Sequence, residues 1–278
     1  MSSFRFKVHD TINRFKFRFN YRSRILAYLA SAESDLTLKP LEKTSLAIVI
    51  PVFSHEAFLP EMFHSVVKQT RRPDEVIIVN DCSPDNSDLL IKEFMLKPEY
   101  KELNIRYLQN EKNLGQTSSL NRAVKESSSE LIMVLNDDDY LMHDAVEAAC
   151  FLMKEHRVAL LGSTSISFAG TSVLESSGKL IKKQCAYNDI HLQFFNPSDL
   201  PNYKHMNAIN MTHSAMVLRR EAFDQVGGYK VDKSQRLVPY SDRDLQLRIN
   251  AHFQIATNNQ VAFAFWRNDS SVDEGVNS

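Results

Sequence analysis

Short apolar runs alternate with amphipathic segments between residues 45 and 163, and this rhythm constrains the fold more than any other feature. The runs at residues 45–51 and 75–80 contain several adjacent apolar residues, typical of strands buried on both faces, and residues 105–109 and 131–135 are two further predicted strands. Each run is followed by a segment with helical spacing of its apolar residues. The pattern predicts an α/β fold, with a Rossmann-like, mostly parallel sheet flanked by helices.

The predicted helices cover residues 56–70, 85–96, 116–127 and 144–156, and Ser83 is the expected N-cap of the second. A fifth strand is expected at 158–161. Beyond about residue 163 the rhythm breaks, and we expect a smaller β/α extension of the same sheet. It would hold strands at 215–219 and 261–266 and helices at 221–226 and 242–252.

The chain therefore divides into three predicted parts. Residues 1–44 form a basic aromatic arm and a linker, residues 45–163 one half of the α/β domain, and residues 164–278 its other half. Residues 1–30 hold seven basic residues against one acidic residue, a net charge of +6, in a chain of net charge -1. The acidic remainder argues against nucleic acid as the main partner, because phosphate binding needs a basic face.

The arm has two interpretations. A basic amphipathic segment can make peripheral contact with an anionic membrane, or it can pack on its own domain or on a partner subunit. Three cysteines without a CxxC spacing indicate a reducing compartment. No secretory signal or apolar run of about 18 residues is visible. We expect a cytoplasmic protein, held at the inner face of the membrane if the arm binds lipid.

Polar residues gather where the predicted strands end. The segments 51–56, 80–85, 110–115 and 136–139 each follow a strand and together supply several carboxylates and amides. Ligands of open α/β sheets bind beyond the carboxyl ends of the strands. The chain has neither GxGxxG nor GxxxxGK[ST], so a divalent cation held by aspartates is the expected way to bind a diphosphate.

Residues 136–139, with the sequence NDDD, are the sharpest feature. Three adjacent carboxylates repel one another, and a bound cation would offset that cost. The alternative is an acidic turn that caps the following helix. His55, His205 and His252 show no metal-ligand spacing.

Five segments in order carry a family resemblance. The segments IVIPVFSHE, EVIIVNDCSPDNS, NEKNLGQTSSLN and LIMVLNDDDYLMHD resemble the nucleotide-binding half of inverting family-2 glycosyltransferases with the GT-A fold. AMVLRREAFDQVGGY resembles the acceptor-side strand and helix of that family, and SDRDLQLR its segment with the general base. The resemblance covers roughly residues 45–268.

The resemblance implies a donor site and a metal site. Asp81 would bond the base, with turn capping as its alternative role, and Asp138 would bind Mg²⁺ or Mn²⁺, with Asp139 as the substitute if the register shifts by one. The other implied nucleotide-sugar-binding residues are Pro51, Phe53, Glu56, Asn113, Gly115, Asn136 and Asp137. Turn chemistry alone could also explain Asn113 and Gly115.

The resemblance also implies a catalytic base, Asp242, which would deprotonate the acceptor hydroxyl. Its alternative role is the N-cap of the following helix. His213 and Trp266 are candidate acceptor contacts, or else packing residues. Asn80, Asn136 and Ser241 depart from the family, which commonly has acidic residues there, and the family's frequent His after the last strand is missing.

The implied function is an inverting glycosyltransferase. It would move a sugar from a nucleotide-diphosphate sugar, most plausibly a UDP-sugar, to a hydroxyl of a glycan or lipid-linked acceptor. The expected setting is polysaccharide or glycoconjugate biosynthesis. The departures keep open a catalytically degenerate domain that acts as a sugar-binding or assembly module. A nucleotidyltransferase is a further alternative, but it would need a glycine-rich basic loop after the first strand, and the residues at 53–56 do not supply one.

Overall fold

The computed structural model describes residues 36–168, 190–199, 211–231 and 241–267, without the side chains of residues 167, 168, 259, 266 and 267. The predictions for the arm at residues 1–30 and for the side chain of Trp266 lie outside this description. No helix in the described part of the chain is long and apolar enough to cross a membrane.

Four parallel strands form the first half of the sheet, in the order β3-β2-β1-β4. They are β1 (Leu46–Val52), β2 (Glu75–Asn80), β3 (Ile105–Gln109) and β4 (Leu131–Val134). Every residue of β1, β2 and β4 is buried, as their uninterrupted apolar sequences predict.

The later strands continue the same sheet in the order β4-β8-β6-β9-β5, and β7 also pairs with β9. These strands are β5 (Tyr140–Leu141), β6 (Leu160–Phe168), β7 (Leu192–Phe195), β8 (Val217–Arg219) and β9 (Ile255–Arg267). The strand β8 runs antiparallel to both β4 and β6, whereas β6 and β9 are parallel. The boundary near residue 163 stays a prediction.

Helices cover both faces of the sheet. They are α1 (Leu59–Val67), α2 (Ser87–Leu96), α3 (Gln116–Glu126), α4 (Ala145–His156), α5 (Arg220–Gln225) and α6 (Ser241–His252), with a 3-10 turn at Pro98–Tyr100. Alternate β1 residues point to two cores. One core contains apolar residues of α1, α2 and α4, and the other contains those of α3, α5 and α6.

Several predicted boundaries were wrong. The first helix begins at Leu59 rather than residue 56, with a proline in its first turn, where the missing N–H costs least. The N-cap of α2 is Asn86 and not Ser83, because the helix begins at Ser87; the backbone N–H of Ser83 donates to Asn80 Oδ1 at 2.9 Å. The short strands β5 and β7 were not predicted.

The linker residues 36–44 lie against the amino ends of the parallel strands, opposite the edge where the strands end. The carboxylate of Glu130 accepts the backbone N–H groups of Glu42, Lys43 and Thr44 at 2.7–2.8 Å. Further along, Gln225 Nε2 donates to the carbonyl of Thr37 at 2.8 Å. Residues 36–44 therefore lie on the side of the sheet away from the candidate site.

Candidate functional site

The loop after β3 is held by the buried carboxylate of Asp81, which follows β2. Oδ1 accepts the side-chain amide of Asn110 at 2.6 Å and the N–H of Leu114 at 2.8 Å, and Oδ2 accepts the N–H of Gly115 at 2.7 Å. Asn113 Oδ1 accepts the same Gly115 N–H at 3.1 Å. A carboxylate oxygen can accept two hydrogen bonds, so Oδ2 keeps capacity for a ligand donor.

Left-handed backbone conformations gather in these loops. Gly115 has φ +87° just before α3, a conformation that glycine adopts without strain. Ser54, Cys82 and Ala215 have φ between +59° and +61°, although none is glycine. Each lies in a loop beside the end of β1, β2 or β4. Such strained residues cluster at functional sites, where the surrounding structure holds them.

The carboxylate of Asp137 joins the loop after β4 to the loop after β1. Oδ2 accepts the backbone N–H of Phe53 at 2.9 Å, and Oδ1 lies 2.9 Å from His55 Nδ1. Burial disfavours the charged imidazole, but the bond to Asp137 and the charges of Asp137, Asp138 and Asp85 outweigh it and raise the pKa of His55 to about 9. At neutral pH, this imidazolium partly balances the acidic loop.

His55, Asp137 and Asp138 form a group that could bind a metal ion. One ligand atom from each lies within 4.8 Å of the other two. His55 has no metal-ligand spacing along the chain, yet the fold brings it close to both aspartates. His55 and the aspartates end neighbouring parallel strands, and that shared edge was the usable signal.

Asn136 connects three parts of the site through its backbone and side chain. Its backbone N–H donates to Ser214 Oγ at 3.2 Å, and its Oδ1 accepts the side chain of Gln116, the first residue of α3, at 3.3 Å. Its Nδ2 donates to Asp139 Oδ2 at 3.2 Å. Asn136 thus organises the acidic loop by hydrogen bonding, without adding charge.

Three predicted site residues at or just after the end of β1 differ in their exposure and contacts. Pro51 is buried within β1 beside Val79, and Phe53 is 40% exposed. The carboxylate of Glu56 accepts the N–H of Asn86 at 2.6 Å. Glu56 therefore supports the start of α2, in addition to the donor-binding role that the resemblance implies.

A second polar group lies on the other side of the acidic loop. His213 precedes Ser214, and its Nε2 lies 2.8 Å from the hydroxyl of Tyr229. Burial lowers the pKa of His213, and the charge of Asp242 acts in the opposite direction. Because α6 begins at Ser241, Asp242 lies in the first turn of that helix and is not its N-cap.

Sequence reasoning missed four residues of this region: Asn110, Gln116, Ser214 and Tyr229. They make side-chain bonds to Asp81, Asn136 or His213 across long sequence separations. Asn110 and Gln116 lie within the segment NEKNLGQTSSLN and Tyr229 ends the segment AMVLRREAFDQVGGY, so of the four only Ser214 lay outside the segments that carry the family resemblance.

The sequence matches the family described as glycosyl transferase family 2 over residues 47–227. A curated relative is the poly(ribitol-phosphate) beta-N-acetylglucosaminyltransferase TarS of Staphylococcus aureus strain Mu50, 28% identical over 119 residues. That match covers 41% of this chain and 20% of TarS. Thus the matched segment spans about a fifth of the relative.

Solved structures share the fold. A crystal structure of S. aureus TarS residues 1–349 with UDP-GlcNAc matches with a TM-score of 0.59 at 19% identity, over 82% of this chain and 59% of that one. The mannosyltransferase PcManGT of Pyrobaculum calidifontis, with GDP-Man and Mn²⁺, matches with a TM-score of 0.59 at 15% identity, over 97% and 70%. These matches confirm the predicted GT-A fold. Because the family match spans more than half of the sequence, the chain belongs to glycosyl transferase family 2.

Proposed function

We propose that this protein is an inverting glycosyltransferase that uses a nucleotide-diphosphate sugar, specifically a UDP-sugar, and a hydroxyl of a glycan or lipid-linked acceptor. One observation carries the proposal. The buried pair Asp137 and Asp138 follows β4. In the same loop, the backbone N–H of Asn136 donates to Ser214, which is next to His213, and the charge of Asp242 acts on the pKa of His213. A cation-binding group and a separate carboxylate are the two parts that an inverting transfer requires.

The donor would lie along the edge where the parallel strands end. The free capacity of Asp81 Oδ2 suits an imino N–H of a uracil base. The exposed ring of Phe53 can cover the base, and Glu56, Asn113, Gly115, Asn136 and Asp137 would surround the rest of the nucleotide. TarS, crystallised with UDP-GlcNAc, supports uracil as the base.

The donor set fits a divalent cation, because it offers two carboxylates within 4.8 Å of an imidazole that would bind the cation only after losing its proton. Asp138 would be the main ligand for Mg²⁺ or Mn²⁺, with Asp137 and His55 beside it. A bound cation would neutralise charge that develops on the leaving diphosphate. The Mn²⁺ in PcManGT supports this choice.

Asp242 would take the proton of the acceptor hydroxyl as that oxygen attacks the anomeric carbon from the face opposite the diphosphate. His213, and Trp266 on β9, would contact the acceptor. The family match ends at residue 227, before this aspartate, so its assignment rests on position and charge.

Two substitutions separate the donor site from the base. We expect Asp242→Asn to reduce transfer about a hundred- to ten-thousand-fold while nucleotide binding stays unchanged. Asp138→Ala should instead remove the Mn²⁺-dependent rise in melting temperature that UDP-sugars produce. Asp224→Asn, on the exposed side of α5, makes the same aspartate-to-asparagine change as Asp242→Asn and serves as its control. Near-wild-type transfer by Asp242→Asn would refute the base assignment.

A sugar-binding domain without catalysis is the second candidate. Asn136 and Ser241 favour it, since both replace carboxylates common in the family, and an amide bonds without charge. The same panel decides: a metal-dependent thermal shift with UDP-sugars, but no transfer to any of a set of glycan and lipid-linked acceptors, would support it.

The basic arm would hold the protein at the cytoplasmic face of a membrane if the acceptor is lipid-linked. The remainder of the chain is acidic, so residues 1–30 are the segment that anionic lipid would attract. Flotation with anionic vesicles should therefore fall when residues 1–30 are deleted. Equal flotation of both proteins would exclude this role.

A further inference from the structure

The turn between α5 and the acceptor side of the site is packed directly against α3. Gly227 and Gly228 have φ of +77° and +64°, conformations that favour glycine. A Cβ on Gly228 would lie 2.8 Å from Asn121 Oδ1 and 2.9 Å from the ring of Phe223. Only glycine fits this approach, and the turn is consequently fixed in place.

Two polar side chains hold the turn from opposite helices. Asn121, on α3, accepts the N–H of Tyr229 at 2.9 Å and donates to its carbonyl at 2.8 Å. Arg248, on α6, donates to the carbonyls of Val226 and Gly228, both at 2.8 Å. The same guanidinium binds Asp244, so the turn is tied to the helix that carries Asp242.

The side chain of Tyr229 ends on His213. It is 2% exposed, its hydroxyl lies 2.8 Å from His213 Nε2, and the two rings meet edge to face at 5.7 Å. Burial raises the pKa of Tyr229, the charge of Asp242 raises it further, and Arg248 opposes the change. The pKa of His213 is lowered by burial, so phenol and imidazole are both neutral at pH 7.

The bond between Tyr229 and His213 uses only one of the two ring nitrogens of His213. With Nε2 occupied by the phenol, Nδ1 is the nitrogen that His213 can offer, as a donor or an acceptor according to the tautomer. Packing alone does not require the Tyr229 hydroxyl, since phenylalanine fills the same space. The hydroxyl has its use in fixing the orientation of the imidazole.

We propose that Tyr229 is a positioning residue for the acceptor side of the site: it orients His213 so that Nδ1 meets the acceptor hydroxyl beside Asp242. The inference rests on the proposed function. Asn121 holds Tyr229, Arg248 holds the turn just before it, and Tyr229 orients His213, which would contact the acceptor. The sugar donor is bound elsewhere, by Asp81 and the acidic loop.

The test is a double-mutant cycle with Tyr229→Phe and His213→Gln. We expect each single variant to lose about tenfold in kcat/KM for the acceptor, the scale of one lost hydrogen bond, with UDP affinity unchanged. The double variant should lose no more than the worse single variant, because both changes break one unit. Tyr100→Phe, which makes the same change at a tyrosine of the other core, is the stability control.

Additive losses, or equal losses in UDP affinity and acceptor kinetics, would overturn the proposal. The side-chain ¹⁵N resonances of His213 give a second reading that needs no turnover. Tyr229→Phe should move the Nε2 resonance, and an unchanged resonance would overturn the link between the two residues. A wild-type protein that transfers no sugar would instead refute the proposed function, while the resonance still decides whether Tyr229 orients His213.

Discussion

Replacing Asp81 by asparagine turns a buried carboxylate into an amide of the same size. The carboxylate accepts three hydrogen bonds, and two of them come from the backbone at residues 114 and 115. The amide nitrogen cannot accept, so it must face at least one N–H group. The less costly orientation points it at Gly115, whose N–H keeps Asn113 as a second partner.

The magnitude follows from these bonds. One charge-assisted bond is lost, at about 1.5–3 kcal/mol, and two others become neutral bonds worth about 1 kcal/mol each. Relief of the buried charge offsets part of the loss. We therefore expect the ordered loop to lose about 2–4 kcal/mol of stability. If donor binding must restore that loop, UDP affinity should fall about thirty- to several-hundred-fold.

Isothermal titration of UDP in the presence of Mn²⁺ measures the affinity, and thermal unfolding without nucleotide measures the stability. Asn113→Ala removes only the weaker, neutral contact to Gly115 and should have a smaller effect. Asp224→Asn changes the same chemical group away from the loop and should leave UDP affinity unchanged. UDP affinity within threefold of wild type for Asp81→Asn would refute the assignment of this loop to the donor site.

Three further changes test other parts of the structure. Glu75→Gln should lower the free energy of unfolding by about 2–4 kcal/mol in urea at pH 7, because buried Glu75 accepts hydrogen bonds from three consecutive serines. Although burial opposes ionisation, these bonds lower the native pKa of Glu75, so its stabilisation is present above about pH 4.3 and is lost as the pH falls further. The loss in free energy of unfolding of Glu75→Gln relative to wild type should therefore shrink below about pH 4. Glu93→Gln, the same change at an exposed residue, is the control and should leave the free energy of unfolding unchanged. Arg248→Met removes a buried cation that holds the glycine turn, and urea unfolding should show a loss of about 3–5 kcal/mol. His55→Ala should weaken Mn²⁺-dependent UDP binding more than His55→Asn, because asparagine keeps a side-chain N–H for Asp137; equal titration results would contradict this role.

The local pattern predicted the parallel half of the sheet because β1, β2 and β4 are buried on both faces, whereas β3, at the end of the strand order, has no buried residue. The bounds of β2 and β3 match the prediction to the residue, and those of β1 and β4 within one. The short strand β5 could not be predicted, since only its antiparallel pairing with β9 makes it a strand. For β7, a half-exposed segment of four residues, tertiary pairing again decided the structure.

In the candidate site too, local sequence predicted some residues, whereas others depend on tertiary contacts. The strand-end rule gathered Asp81, Asn113 and Asp137 correctly at one edge, because parallel strands end together. Spacing along the chain dismissed His55, although the ends of β1 and β4 bring it to Asp137. Tyr229 was missed because its partner His213 precedes β8 in the sequence, whereas Tyr229 follows α5. Nothing in the local sequence indicates that the two side chains meet.

The helix α3 connects three parts of the candidate site. Gly115, directly before it, is held by Asp81; Gln116, its first residue, bonds Asn136 of the acidic loop; and Asn121, in its middle, holds Tyr229. A rigid helix transmits a shift of its first turn to its centre. We therefore expect a change in the loop at residues 110–115 to reach both Asn136 and Tyr229 through α3. Substitutions in the three parts should for this reason combine non-additively, even where their side chains do not touch.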